Sequence, residues 1–231
     1  MRKLGLIWGM SWVSTQTYYE QINRIVQRHR GAPSSAPMLI ESLDFKPLIR
    51  TQTDEEWERA AAGLTDSAKR LEQAGAGLIV IGANSMHRVY REVEGAISTP
   101  ILHIAECVGE RMARDGVAKA ALIGTRNVMT ESFYRRRLVS HGVDLLPPDM
   151  ENVELLDRII YDELMVGRAT RDAERRLKTI ITEKAQEGAE AIVLACTELE
   201  LVVDVDANVL PIYDSTRIHA QDAADWILGE D

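Results

Sequence analysis

The sequence predicts an α/β fold built from two similar units with parallel sheets, and three observations lead to it. Short runs of Val, Ile, Leu and Ala alternate with helical patterns along the whole chain. The run 191–195 contains no charge, which is typical of a strand buried on both faces. A weak internal repeat aligns Val80 with Val193 and Ala83 with Cys196, and the strand-end loops of both units are expected to line one cleft.

The first half reads as four strand and helix pairs. Thr53 and Glu56 form a capping box before a long helix, and Gly75 follows its end. Strands are predicted over 3–8, 38–43, 78–81 and 100–104. Helices are predicted over 12–29, 54–74, 86–94 and 105–115, the last containing a structural Cys107.

The second half repeats this order from about residue 118. Strands are predicted over 119–123, 143–146, 192–195 and 209–212, and helices over 130–141, 153–166, 170–186 and 215–228. The predicted domains are 1–101 plus 213–231 for the first and 102–212 for the second.

Composition excludes several classes of partner. The net charge of −9 argues against binding to nucleic acid or to an anionic membrane, and no apolar run approaches transmembrane length. The two cysteines, Cys107 and Cys196, have neither disulfide nor metal-ligand spacing, which fits a reducing cytoplasm. His87 and His219 are expected to be structural, so no metal site is predicted.

Cys196 is the first candidate for chemistry. It ends a buried strand, and open α/β sheets bind ligands beyond the carboxyl ends of their strands. The alternative is a small core residue, the usual position of a free cysteine. Near the N-terminus, the turn Gly9-Met10-Ser11 between strand and helix is a generic anion site, but it lacks a nucleotide-binding fingerprint.

Motifs spread over the whole chain make it resemble the aspartate/glutamate racemase family. They are Gly9-Met10-Ser11-Trp12, Ser42-Leu43-Asp44-Phe45, Asn84-Ser85-Met86-His87, Leu102-His103-Ile104, Gly124-Thr125-Arg126, Phe133-Tyr134, Ile159 to Leu164 with Gly167, Cys196-Thr197-Glu198, and Asp214-Ser215-Thr216 with His219.

This resemblance implies a fold and a reaction. The fold is two pseudo-symmetric domains, each with a four-stranded parallel sheet, with the active site in the cleft between them and the last helix returning to the first domain. The chain is expected to form a homodimer. The reaction, on aspartate, glutamate or a related acidic substrate, needs no cofactor, because two thiols on opposite faces of the α-carbon exchange its proton. Cys suits this role if amides at a helix start lower its pKa.

The expected substrate contacts follow from the same comparison. An enolate-like carboxylate needs fixed donors, for which the candidates are the turn amides of Ser11 and Thr197, the hydroxyls of Ser85 and Thr125, and Asn84. The family pattern adds Met10, Arg50, Gln52, Arg168 and Glu198. Arg50 and Arg168 could instead be surface charges, and Asn84 and Thr197 could be helix caps.

One position departs from the family pattern. The first acid/base position, directly before Asn84, is Ala83, which has no proton to give. Three interpretations remain open. Cys196 acts alone in a slow or one-directional racemase or epimerase; the chain is a one-thiol decarboxylase or cis–trans isomerase of a dicarboxylate; or it binds amino or dicarboxylic acids without catalysis.

Overall fold

The first sheet is parallel and four-stranded. In a computed structural model, which describes residues 1–229, β1 (Leu4–Trp8), β2 (Met38–Ser42), β3 (Leu78–Ile81) and β4 (Ile101–Leu102) lie in the order β2-β1-β3-β4. Every residue of β1 and β3 is buried, because helices cover both faces of the sheet centre.

The second sheet repeats this arrangement. Its strands β5 (Lys119–Gly124), β6 (Asp144–Leu145), β7 (Ala191–Ala195) and β8 (Ile212–Asp214) lie in the order β6-β5-β7-β8, again all parallel. β3 and β7 therefore occupy equivalent places, as the alignment of Val80 with Val193 predicted. The predicted fold class is confirmed.

Helices connect the strands, and most begin and end where the sequence indicates. The capping box at Thr53 is present, with both hydrogen bonds formed. The helices are α1 (Trp12–Arg30), α2 (Asp54–Gln73), α3 (Tyr90–Glu94), α4 (Ile104–Arg114), α5 (Arg126–Thr130), α6 (Ser132–Ser140), α7 (Met150–Asp162), α8 (Arg171–Gln186) and α9 (Ser215–Leu228). Short 3₁₀ turns cover Ser85–Val89, Leu164–Val166 and Leu199–Leu201.

The first compact unit comprises Met1–His103 together with the chain from His219 onward. One of its cores packs α2 beneath the sheet, centred on Leu64, Ile79 and Ile81. The other packs α1 and α9 on the opposite face, where Ala220, Ala223, Ala224 and Ile227 meet β1 and α1. The last helix thus belongs mostly to the first unit.

The second unit comprises Ile104–Ile218. Its largest core joins β5 and β7 to α7 and α8, with Ile123, Leu156, Leu177 and Leu194 among the buried residues. Cys196 lies at the edge of this core and is 6% exposed.

Over the part of the chain that the structure describes, no helix is long and apolar enough to cross a bilayer.

The position of the last strand was predicted wrongly. The predicted strand 209–212 is observed as Ile212–Asp214, and Val209 is 65% exposed. The cause is Pro211, which lacks an N–H and serves the sheet only through its carbonyl, the acceptor for the Ile192 amide. The ladder continues from Ile212 to the pair Leu194 and Asp214, so Ser215 directly follows a strand end.

Three predicted helices are divided. The helix predicted over 130–141 is interrupted at Glu131, whose backbone is extended, so α5 ends and α6 begins there. The helix predicted over 86–94 opens as the 3₁₀ turn Ser85–Val89 before α3. The helix predicted over 153–166 begins earlier, at Met150, because Asp149 caps it, and it ends at Asp162.

Candidate functional site

Small and polar residues follow the carboxyl ends of β1 and β3 in the first unit. Met10 and Ser11 come after β1, and Ala83 and Asn84 come after β3; all four are at most 6% exposed. The turn after β1 requires Gly9, because φ is +91° and a Cβ atom there would lie 2.2 Å from the Leu43 carbonyl oxygen. The neighbouring strand ends therefore approach closely, as ligand-binding edges of parallel sheets do.

Asn84 carries the clearest sign of a binding site in this unit. Asn84 is 4% exposed, and neither its side-chain oxygen nor its side-chain nitrogen has a hydrogen-bond partner among the described residues. The alternative role as a helix cap is excluded, because its side chain makes no capping bond to the turn Ser85–Val89. Buried amides are normally paired, so this one is available to a ligand.

Thr125 is the counterpart in the second unit. It follows β5, and within residues 1–229 its buried hydroxyl has no hydrogen-bond partner. Its side chain does not cap α5. Gly124 pairs with Ala195 in the sheet, and a Cβ atom on Gly124 would lie 2.7 Å from the Ala195 carbonyl oxygen. This close approach brings Thr125 beside Cys196 at the same edge of the sheet.

Cys196, Thr197 and Glu198 form a buried triplet beyond β7. The Cys196 thiol donates to Glu198 Oε2 at 3.2 Å, and Thr197 Oγ1 donates to the same oxygen at 2.7 Å. Glu198 is 2% exposed, so its carboxyl group is buried. The two residues that precede it in the chain, Cys196 and Thr197, donate hydrogen bonds to it. Thr197 directs its hydroxyl to Glu198, while no capping role for it is seen.

The Cys196 thiol is harder to ionise than expected. Burial raises its pKa well above the ordinary value, and the nearby Glu198 carboxylate raises it further, while the backbone N–H of Glu198 acts in the opposite direction. The expected net lowering of this pKa is therefore wrong for the ligand-free protein. A backbone amide does act in the predicted direction, but burial and the Glu198 carboxylate outweigh it.

Some predicted contacts lie on exposed loops instead. Arg50 and Gln52 are exposed in the segment before α2, and Arg50 has φ of +53°, a left-handed conformation that non-glycine residues rarely adopt. Arg168 is exposed after Gly167, and its guanidinium donates to the Asp162 carbonyl at 2.5 Å. Ser85 is partly buried in the first turn after Asn84.

The end of β8 contains polar groups that the sequence analysis did not count as site residues. Ser215, Thr216 and Tyr134 are all fully buried there. Asp214 accepts the Thr216 amide at 2.8 Å and caps α9, and burial raises its pKa against the effect of that bond. The wrongly placed strand 209–212 hid this edge; a strand ending at Asp214 would have indicated it.

Asp157 was also missed, because its position within α7 carries no motif. Its carboxylate accepts the Arg126 amide at 3.0 Å, and its charge contributes the smallest of the effects that raise the Cys196 pKa. Among the described residues, no group of three His, Cys, Asp or Glu side chains is arranged to hold a metal ion.

One protein family matches most of the chain. The family model for Asp/Glu/hydantoin racemase matches residues 7–223, which include both strand-end edges. The chain belongs to the Asp/Glu/hydantoin racemase family. It is therefore an isomerase of the amino-acid racemase class.

Individual relatives of this racemase family support the assignment over the full length. The broad specificity amino-acid racemase RacX of Bacillus subtilis (strain 168) is 25% identical over 97% of this chain and 98% of its own. A crystal structure from Yersinia pestis, described as that of a candidate Asp/Glu racemase, is 38% identical with a TM-score of 0.90, covering 99% of this chain and 100% of the other. The structure of an aspartate racemase homologue from Pyrococcus horikoshii OT3 is 32% identical with a TM-score of 0.83, covering 99% and 100%.

Proposed function

We propose that the chain transfers a proton at the α-carbon of aspartate, glutamate or a related acidic amino acid without a cofactor, and that Cys196 is its acid/base group. The observation that carries this proposal is the buried Cys196 thiol, 3.2 Å from Glu198 Oε2 at the carboxyl end of β7. A thiol with a fixed proton acceptor at a strand end is the arrangement that general acid–base chemistry requires.

The proton transfer follows from this pair. Because its pKa is raised, the thiol is protonated before substrate binds. Glu198 takes the S–H proton, and the resulting thiolate removes the α-hydrogen of the substrate to leave an enolate-like carboxylate. The new S–H proton exchanges with solvent, and its return from Cys196 to the same face regenerates the starting enantiomer with a solvent proton. Glu198 then gives its proton back to the thiolate. Delivery to the opposite face by another donor completes inversion.

The substrate carboxylates are proposed to bind the donors at the strand ends. Asn84 and Thr125 have buried polar atoms that lack protein partners, so a ligand can satisfy them. The turn amides of Ser11 and Thr197 can donate to the charge that develops on the α-carboxylate. Met10, Ser85, Arg50, Gln52 and Arg168 are further proposed contacts, with the two arginines serving the distal carboxylate.

Ala83 limits what this enzyme can do. Inversion needs a second acid/base on the face opposite the first, and the family resemblance puts that group at position 83. Ala83 has no ionisable group, so we propose that exchange of the α-hydrogen outpaces inversion and favours one enantiomer.

The decisive experiment is solvent deuterium exchange at the α-carbon, followed by NMR on a panel of D- and L-amino acids. We expect exchange of acidic amino acids, with loss of activity in Cys196→Ala and retention in Cys107→Ala. Cys107 is the matched control because it is also buried, 3% exposed within α4, yet lies away from a strand end. Absence of exchange with every substrate would remove the racemase proposal.

A second candidate function rests on the single thiol. A decarboxylase or a cis–trans isomerase of a dicarboxylate needs only one catalytic thiol. Position 83 is Ala and supplies no second thiol. The same NMR assay distinguishes the cases, because decarboxylation yields a new product and isomerisation changes alkene signals. A chain that only binds would perturb its own amide signals and turn over nothing.

We also propose that the chain acts as a homodimer, as the family resemblance implies. Light scattering after size-exclusion chromatography should then give twice the mass of one chain. A single-chain mass at assay concentration would contradict this proposal.

The predicted domain boundaries and the cytoplasmic location stay predictions.

A further inference from the structure

Three buried histidines lie together in the first unit, outside the chemistry proposed above. His87, His103 and His219 are 2%, 4% and 0% exposed. The ring centroids of His87 and His103 are 4.5 Å apart, and those of His87 and His219 are 5.9 Å apart. Burial of three titratable rings is unusual enough to need a reason.

His87 is attached directly to the turn that contains Ala83 and Asn84. Its Nδ1 atom lies 3.0 Å from the Ala83 carbonyl oxygen, and its backbone amide donates to the Asn84 carbonyl at 3.3 Å. A carbonyl oxygen can only accept, so Nδ1 carries the proton in this contact. The carbonyl of Ala83 and the amide of Asn84 belong to one peptide group, whose plane this bond fixes.

The His87 ring is itself held by neighbours from other elements. His103, which follows β4, packs edge-to-face against it and is packed in turn by Tyr90 at 4.7 Å. His219 on α9 donates from Nε2 to the Leu102 carbonyl at 3.1 Å and accepts from the Tyr18 hydroxyl at 2.9 Å. A ring packed on several sides keeps one rotamer, as a supporting group of a binding site must.

The Asn84 side chain is buried but not held by hydrogen bonds. Since neither of its polar atoms bonds to any described residue, its direction depends on packing and on the backbone that presents it. The bond from His87 is a side-chain contact to that backbone on the side of Ala83.

We propose that His87 is a positioning residue, whose Nδ1–H holds the Ala83–Asn84 peptide so that the Asn84 amide is presented to the substrate. The inference rests on the proposed function only in assigning Asn84 to substrate binding. A purely space-filling role would be met by any side chain of similar size. A positioning role requires a donor at the place of Nδ1.

Selective labelling can observe this contact directly. The sequence contains Ala followed by Asn only at 83–84 and at 207–208, so protein labelled with ¹³C-carbonyl Ala and ¹⁵N Asn gives two linked signals. His87→Asn keeps a donor at the place of Nδ1, whereas His87→Gln moves it to the place of Nε2. We expect the Ala83 carbonyl signal to move in His87→Gln and to stay near the parent position in His87→Asn. The Ala207 signal is the internal control for folding.

Activity provides the second readout. We expect His87→Gln to raise KM for α-hydrogen exchange by about 10- to 100-fold with a smaller change in kcat, since a displaced contact weakens binding first. His87→Asn should restore KM to within a few-fold of the parent value. An Ala83 signal unaffected by His87→Gln, or equal KM values in both variants and the parent, would overturn the inference. In the parent protein, ¹⁵N shifts showing the Nε2–H tautomer of His87 would overturn it without any variant. A parent that exchanges no amino acid, but whose Ala83 signal depends on His87, would remove the proposed function and leave the positioning contact standing.

Discussion

The Cys196 thiol and the Thr197 hydroxyl both donate to one oxygen, Glu198 Oε2, at 3.2 Å and 2.7 Å. Glu198 therefore has two opposite effects on the thiol. Its negative charge disfavours the thiolate, and its oxygen is the acceptor through which the thiol can lose its proton.

Glu198→Gln separates these two effects. Removal of the charge should lower the pKa of Cys196, although burial, the larger cause, keeps it above the ordinary value. Iodoacetamide labelling of Cys196 should then begin at lower pH than in the parent, while α-hydrogen exchange falls because the acceptor is lost. Asp157→Asn is the matched control, since Asp157 makes the smallest contribution to the same pKa, and its labelling curve should shift less. An unchanged curve for Glu198→Gln would show that burial alone sets the ionisation of this thiol.

Cys196→Ala should lower the rate of α-hydrogen exchange by about 10²- to 10⁴-fold, the usual contribution of a general acid–base group. Cys107→Ala should remain within a few-fold of the parent. Exchange is measured by loss of the α-proton signal in D₂O. Undiminished turnover in Cys196→Ala would assign the chemistry to another residue.

Ala83→Cys should gain interconversion of both enantiomers of aspartate or glutamate, because it supplies the second acid/base group that the proposed mechanism lacks. The gain is expected to be about 10²-fold or more, measured by chiral chromatography. Ala83→Val is the control for added volume without a proton donor and should gain nothing. If Ala83→Cys binds substrate without gaining inversion, the one-thiol decarboxylase or isomerase is favoured.

Thr125→Val should leave the ligand-free protein as stable as the parent or more stable by up to about 1 kcal/mol, because a buried hydroxyl without a partner is removed. KM for the substrate should rise. The comparison is Thr51→Val, which removes a hydroxyl that donates to the Leu48 carbonyl at 2.8 Å and should lose about 1 kcal/mol. Urea unfolding measures the stability of both variants, and KM is taken from the α-hydrogen exchange assay. Equal destabilisation by the two substitutions would mean that Thr125 has a partner in solution.

His219 should make the protein sensitive to acid. Burial, followed by the nearby His87, lowers the pKa of His219 from 6.5 to about 3. Between these pH values the unfolded chain binds a proton at His219 that the folded chain does not. The free energy of unfolding linked to neutral His219 is therefore fully present above pH 6.5 and is lost as the pH falls towards 3. The slope contributed is about 1.4 kcal/mol per pH unit at most.

His219→Gln should flatten this part of the stability curve, because the side chain no longer titrates. It keeps a donor for the Leu102 carbonyl, so loss of that hydrogen bond does not dominate the result. The matched control is His29→Gln, which removes an exposed imidazole from α1 and leaves the buried histidines in place. Parallel curves for the parent and His219→Gln would mean that His219 does not control acid sensitivity.

Local patterns were enough to determine the fold class and the order of the elements. Charge-free runs such as 191–195 form strands buried on both faces, and the capping box at Thr53 begins α2, because both signals depend on residues close in the chain. The alignment of Val80 with Val193 likewise predicted two similar units, and the two sheets have equivalent strand orders. The strand-end positions of Cys196, Asn84 and Thr125 followed from these local signals.

Only the tertiary structure determined what those side chains contact. Burial of Cys196 and the nearby Glu198 oxygen raise the pKa of the thiol, whereas the sequence predicted a lowered pKa. Desolvation depends on how the core packs and cannot be inferred from residue spacing. The bond from His87 to the Ala83 carbonyl joins residues four apart, so a helical spacing predicts it. The packing of His103 and His219 around His87 instead joins segments up to 132 residues apart, from 87 to 219. Pairing across such distances depends on how the strands and the last helix pack, a property that no local pattern of residues specifies.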